Sequence, residues 1–147
     1  MQMTATLVNT ETEVLQHTQS LCEVLRQDYI EYSIQHHERN IELHEENPAI
    51  TFYSGSVEYH QSKIDELRKG ICDYDFTFES GRKYHKVIMH TENQRSCHAF
   101  VDKKTGSVLK SASWKSPAKG ERYNLLNGAS RDHCYHLADW SGTYLYR

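Results

Sequence analysis

The apolar residues of this chain change their spacing at Tyr74. Before it they recur at intervals of three, four and seven, which collects side chains on one face of an α-helix. After it they alternate with polar residues, the pattern of a strand with one buried face. A chain that switches once in this way segregates its helices from its strands, so the expected fold class is α+β: a long N-terminal amphipathic helix and a shorter helix packed on an antiparallel meander of about four to five strands. At 147 residues one core suffices, and the chain reads as a single domain, 1–147.

In the helical half, Thr10-Glu-Thr-Glu13 has the form of a capping box and predicts a helix start there. Val14, Leu21, Leu25, Tyr29 and Tyr32 then share one face, while Glu23, Arg26, Gln27 and Glu31 fall mostly on the other. The polar run His36 to Asn40 and the pair Asn47-Pro48 place the helix end between Gln35 and Glu46. Ala49 to Tyr53 reads as a short extended or turn segment. Ser54-Gly-Ser56 introduces a second helix through Val57, Ile64 and Leu67, closed by Gly70.

In the other half, Tyr74, Phe76 and Phe78 alternate with Asp75, Thr77 and Glu79, and Ser80-Gly81 supplies a turn. Tyr84 to Thr91, Ser96 to Asp102 and Ser107 to Trp114 follow as strands. Asp102-Lys-Lys-Thr-Gly106 forms a tight hairpin with glycine where positive φ is needed. Lys115-Ser-Pro-Ala-Lys-Gly120 reads as a basic loop, Ser130 as the cap of a short helix whose body includes Leu137, Ala138 and Trp140 and which Gly142 breaks, and Thr143 to Arg147 as a last strand with Tyr144 and Tyr146 opposite Leu145. Phe100, Trp114 and Trp140 are expected in the core.

Charge divides along the same line. Residues 1–79 carry 15 Asp and Glu against 5 Lys and Arg, a net −10, and residues 80–147 carry 5 against 12, a net +7. The basic half attracts an anionic partner, a nucleic acid or a nucleotide, because clustered cations raise local anion concentration. Equally, the opposed charges can satisfy one another within the fold or between copies of the chain in a homo-oligomer. The candidate anion-binding residues are Arg82, Lys83, Lys110, Lys115, Lys119, Arg122 and Arg147, with Tyr123, Tyr144 and Tyr146 as possible stacking rings. Within Lys115 to Arg122, backbone N–H groups of a small-residue loop would face a phosphate, although the order of residues is not that of a Walker loop.

No run approaches the ~20 apolar residues of a membrane span, and Met1 to Thr10 lacks the pattern of a secretory signal. No membrane partner is expected, and the protein is expected to remain cytoplasmic. Cys22, Cys72, Cys97 and Cys134 stand singly, as buried reduced thiols rather than a zinc ribbon or a disulfide framework. His133 and His136 lie three apart, and Cys97-His98 and His36-His37 are adjacent, but no second pair completes a metal site, so no metal or cofactor is expected. Cys97 with His98, His85 or Asp102, and His85 and His98 with Glu92, supply groups for nucleophilic or acid–base chemistry; no signature selects them, and neighbours in a strand point to opposite faces. No catalytic residue is assigned.

The segments Cys97 to Asn127 and Ala138-Asp-Trp-Ser-Gly-Thr-Tyr-Leu-Tyr-Arg147, with Gly81-Arg-Lys-Tyr84, resemble the C-terminal part of small uncharacterised proteins of tailed bacteriophages. The resemblance covers roughly the last 65 to 70 residues, a span suited to a small α+β module. It implies a phage origin and no mechanism. The expected function is a non-catalytic protein that binds an anionic partner in the host cell. A virion or assembly component acting through homo-oligomeric interfaces is the alternative, and an uncharacterised enzyme a third class.

Overall fold

In the computed structural model, residues 2–49 and 55–147 are described, with side chains from Asn9 onward. The fold is α+β. Helix α1 spans Gln2–Glu46, α2 Val57–Arg68 and α3 Gly128–Leu137; the strands are β1 Asp75–Ser80, β2 Tyr84–His90, β3 Arg95–Asp102, β4 Ser107–Ser111 and β5 Pro117–Asn124. The five strands form one antiparallel sheet in the order β1-β2-β3-β4-β5. The expected turn segment Ala49 to Tyr53, and Ser54 after it, fall largely outside the described residues.

Two compact units emerge, Met1–Arg26 with Tyr74–Arg147, and Gln27–Asp73. Their boundaries differ from the charge boundary at residue 79, because the first turns of α1 belong with the sheet. In the smaller unit, Ser56 caps α2 by accepting from the N–H of Tyr59 at 3.1 Å, and Gly70 leaves the helix at φ +83°. Ile30, Ile64 and Leu67 are its buried aliphatic residues. His37 and His60 meet there through their Nδ1 atoms at 2.8 Å, and Arg68 pairs with Glu38 at 3.6 Å.

Helix α1 begins eight residues before the expected cap at Thr10. No glycine or proline precedes Pro48, so nothing interrupts the helix upstream of the Thr10 box, whose residues lie in a helix interior. In the larger unit the buried stripe of α1 is Val14, Thr18, Leu21, Cys22 and Leu25, each no more than 1% exposed. Thr18 satisfies its buried hydroxyl by donating to the Val14 carbonyl at 2.8 Å.

The register of the sheet builds the rest of this core. Ser80, His85, Val101, Val108 and Tyr123 are successive cross-strand partners, and all but the first are buried. On the other face Lys86, Phe100, Leu109 and Glu121 form the equivalent row. Phe100 is buried there, as expected. Trp114 is 39% exposed rather than core, with the Lys86 ammonium 4.0 Å from its ring centre. Trp140 packs edge-on against Tyr74 at 5.9 Å.

Three further expectations are corrected. The loop Lys115 to Gly120 is largely strand: β4 stops at Ser111, a turn through Ala112 to Ser116 reverses the chain, and β5 pairs back along β4 from Ser111↔Pro117 to Ser107↔Asn124. The fifth strand therefore comes from this segment. Residues Thr143–Leu145 form a 3₁₀ turn instead of a strand, because Gly142 takes φ +85° and the Asp139 carboxylate accepts from Thr143 Oγ1 at 2.8 Å and Tyr144 N–H at 3.0 Å. Helix α3 is capped by Asn127, which accepts from the Ser130 N–H at 2.9 Å, while the Ser130 hydroxyl accepts from the Asn124 N–H instead, and the helix ends at Leu137, with Ala138 at ψ 127° and Trp140 outside it.

Candidate functional site

The five strands of a meander put alternate turns at opposite ends of the sheet, and this separates the predicted anion-binding residues. Arg82 and Lys83 lie in the β1–β2 turn at one end, where the Lys83 ammonium sits 5.3 Å from the Tyr84 ring. Lys103 and Lys104, not singled out from the sequence, join them from the β3–β4 turn, with the Lys103 N–H donating to the Lys83 carbonyl at 3.0 Å. Lys115 stands in the β4–β5 turn at the other end, and Lys119 on β5; both are exposed.

Arg122 is not free to meet a ligand with its full fork. Its Nε donates to the Leu145 carbonyl at 2.8 Å, and its Nη1 to the carbonyls of Lys119 at 2.7 Å and Gly120 at 2.6 Å. It ties the β5 bulge to the C-terminal turn. The guanidinium of Arg147 lies over the Tyr123 ring at 4.6 Å. Two proposed stacking rings are likewise core: Tyr123 is 2% exposed and donates to the Tyr144 carbonyl at 2.9 Å, and Tyr144 is 7% exposed. The 3₁₀ turn directs both Tyr144 and Leu145 inward, where the strand reading had placed them on opposite faces.

Tyr146 is different. It is 71% exposed, and the Lys110 ammonium lies 4.3 Å from its ring centre. Lys110 and Tyr146 border a cleft of about 300 Å³ whose walls include His98, Ser111, Trp140 and Gly142. On its other side Tyr146 borders a second depression, of about 450 Å³, with His133, Thr143 and Arg147. An aromatic ring flanked by basic side chains thus projects from a turn anchored by Asp139 and Arg122. Burial would raise the Asp139 carboxyl, but hydrogen bonds from Ser141, Tyr144 and Thr143 outweigh it and hold the group below its ordinary range.

The inner wall of the cleft is set by a β-bulge. Val87 faces Ala99 and Ile88 faces Cys97, so His98 is the extra residue of β3. Its ring is stacked on Tyr144 at 5.6 Å, receives the edge of Phe76 at 5.4 Å, and its Nε2 hydrogen-bonds the Tyr144 hydroxyl at 2.8 Å. Burial pushes the imidazole down to about 4 against the opposing pull of Asp139, so it is neutral at physiological pH.

Both Cys97 and His98 border this cleft, Cys97 beside Ser111 and Lys86 and His98 against Phe76 and Tyr144. They do not form an activated nucleophile. Burial raises the Cys97 thiol above its ordinary value despite Ser111 and Lys86, and its Sγ donates to the Ala99 carbonyl at 3.8 Å. Asp102 caps its own turn by accepting from the N–H groups of Lys104 at 2.9 Å and Thr105 at 3.0 Å. His133 and His136 are exposed on α3, and among the described residues no three His, Cys, Asp or Glu side chains are placed to hold a metal ion. All four cysteines are free thiols; Cys22 and Cys134 are buried, whereas Cys72 and Cys97 are half-buried. No described helix is long and apolar enough to cross a membrane.

An antiparallel meander that shares its compact unit with α3 and the first turns of α1 defines an α+β protein. The chain belongs to DUF7717, a family of unknown function whose model matches residues 2–147 and so takes in the acidic as well as the basic half. No curated protein and no solved structure matches it.

Proposed function

We propose that this is a non-catalytic binding protein whose ligand combines an anionic group with a flat ring, a nucleotide or an unstacked nucleotide of a nucleic acid, taken at the Tyr146 cleft. The observation that carries the reading is the exposed Tyr146 ring with Lys110 4.3 Å from its centre at the mouth of the cleft. A base stacks on an exposed tyrosine for about 1–3 kcal/mol, and an adjacent ammonium supplies a phosphate partner. The neutral His98 and the Ser111 hydroxyl offer hydrogen bonds deeper in the cleft. The raised Cys97 thiol speaks for binding over covalent chemistry.

Calorimetric titration with AMP, GMP and short single-stranded DNA and RNA tests the reading. Binding should weaken as salt rises, and Lys110→Glu and Tyr146→Ala should each reduce affinity at least about tenfold. Because Tyr146 is exposed, Tyr146→Ala should leave the unfolding midpoint unchanged. If none of these ligands binds at low salt, the proposal fails.

A further inference from the structure

The end of the sheet opposite the Tyr146 cleft holds a third depression, of about 310 Å³, lined by Glu11, Thr12 and Leu15 of α1 and by Ser80, His85 and Lys103. His85 belongs to the buried cross-strand row and is only 1% exposed. Its Nδ1 is hydrogen-bonded to Ser80 Oγ at 2.8 Å and the Phe78 ring lies edge-on at 5.2 Å, but its buried Nε2 has no hydrogen-bond partner. Buried polar atoms in folded proteins are nearly always paired, so an orphaned nitrogen on a residue that lines a cleft points to something that completes it.

The surrounding charges define what that is. Burial, reinforced by Lys103 and opposed by Glu11, keeps the imidazole below its ordinary value and so neutral. The Ser80 contact at Nδ1 fits either tautomer of a neutral ring, and in the one where the Ser80 hydroxyl donates, the proton sits on Nε2 and needs an acceptor. Lys103 uses one of its three protons on the Gly81 carbonyl at 3.1 Å, leaving two for the same acceptor. Glu11 borders the other wall, and no ion pair joins it to Lys103 among the described residues. A simple oxyanion would be attracted by Lys103 and repelled by Glu11. A molecule carrying both charges meets neither conflict, and Thr12 and Leu15 leave a mixed surface for a short substituent.

We propose that this cleft binds a small zwitterion of amino-acid size, its carboxylate held by Lys103 and the His85 Nε2–H and its ammonium by Glu11. The site is independent of the Tyr146 cleft. The experiment is a titration of the full chain followed by imidazole ¹⁵N NMR, with glycine and serine as the zwitterions and acetate and methylammonium as the two halves. Glycine or serine should shift the His85 Nε2 resonance saturably and bind at least about tenfold more tightly than either half. Lys103→Met and Glu11→Gln, both at the rim, should each weaken that binding about tenfold or more with the unfolding midpoint unchanged. Acetate binding as tightly as glycine, indifference to Glu11→Gln, or the absence of a saturable shift with all four probes would each overturn the proposal.

Discussion

Replacing Arg122 separates a structural cation from a ligand-binding one. Its guanidinium reaches three carbonyls, one of them the partly buried Leu145 oxygen and two, on Lys119 and Gly120, at the surface. A charge-assisted hydrogen bond contributes about 1.5–3 kcal/mol when shielded and well under 1 kcal/mol when exposed. Arg122→Met keeps the unbranched stem, removes all three bonds and leaves the Leu145 carbonyl without this donor, so it should destabilise by about 2–4 kcal/mol. For a chain of this size that corresponds to a fall in Tm of roughly 4–12 °C. Arg122→Lys retains the charge but not the fork, and should recover less than half of the loss. Trp114 and Trp140 both lie in the unit that contains Arg122, so denaturant unfolding followed by tryptophan fluorescence measures the relevant transition. If Arg122→Met unfolds at the wild-type midpoint, or if Arg122→Lys is as stable as wild type, the anchoring role is refuted.

Two further outcomes follow from the core. His98 has its folded-state pKa depressed to about 4 from an ordinary 6.5, so the stability it confers is complete above about pH 6.5 and is lost as pH falls toward 4. The loss approaches about 3 kcal/mol as an upper limit, since one edge of the ring reaches the cleft; NMR titration should give a His98 midpoint near 4, and His98→Gln should flatten the acid limb. Gly106 adopts φ +75°, and a Cβ there would lie 3.0 Å from Leu126 Cγ and 3.1 Å from the Leu126 backbone nitrogen, so Gly106→Ala should lower stability by about 1–3 kcal/mol in urea unfolding.

How far the sequence could be read depended on how local each signal was. The Asp102 to Gly106 hairpin was legible because its causes lie within five residues: a carboxylate that accepts from two following N–H groups, and a glycine at positive φ. The Ser56 start and Gly70 end of α2 were legible for the same reason. The Thr10 capping box was misleading because a cap acts only where the preceding residues leave the helix, and here they do not. At the site, Lys110 and Tyr146 were among the candidates, but Tyr123, Tyr144 and Arg122 resemble them in composition and have structural roles. The spacing Asp139, Ser141, Thr143 was an available sign of a carboxylate-centred turn.

By itself the sequence determined the α+β class, the meander and the separation of acidic from basic residues, because periodicity and turn chemistry act over a few neighbouring positions. Tertiary structure decided what pairing at a distance controls. It made β5 of a segment that reads as loop, since the β4 edge supplied hydrogen-bond partners. It also bulged His98 into the Tyr146 cleft, and it buried His85 in a cross-strand row beside Lys103 and Glu11. Each of these depends on which strand or helix lies alongside, and that follows from burying the core of the larger unit rather than from any short run of residues.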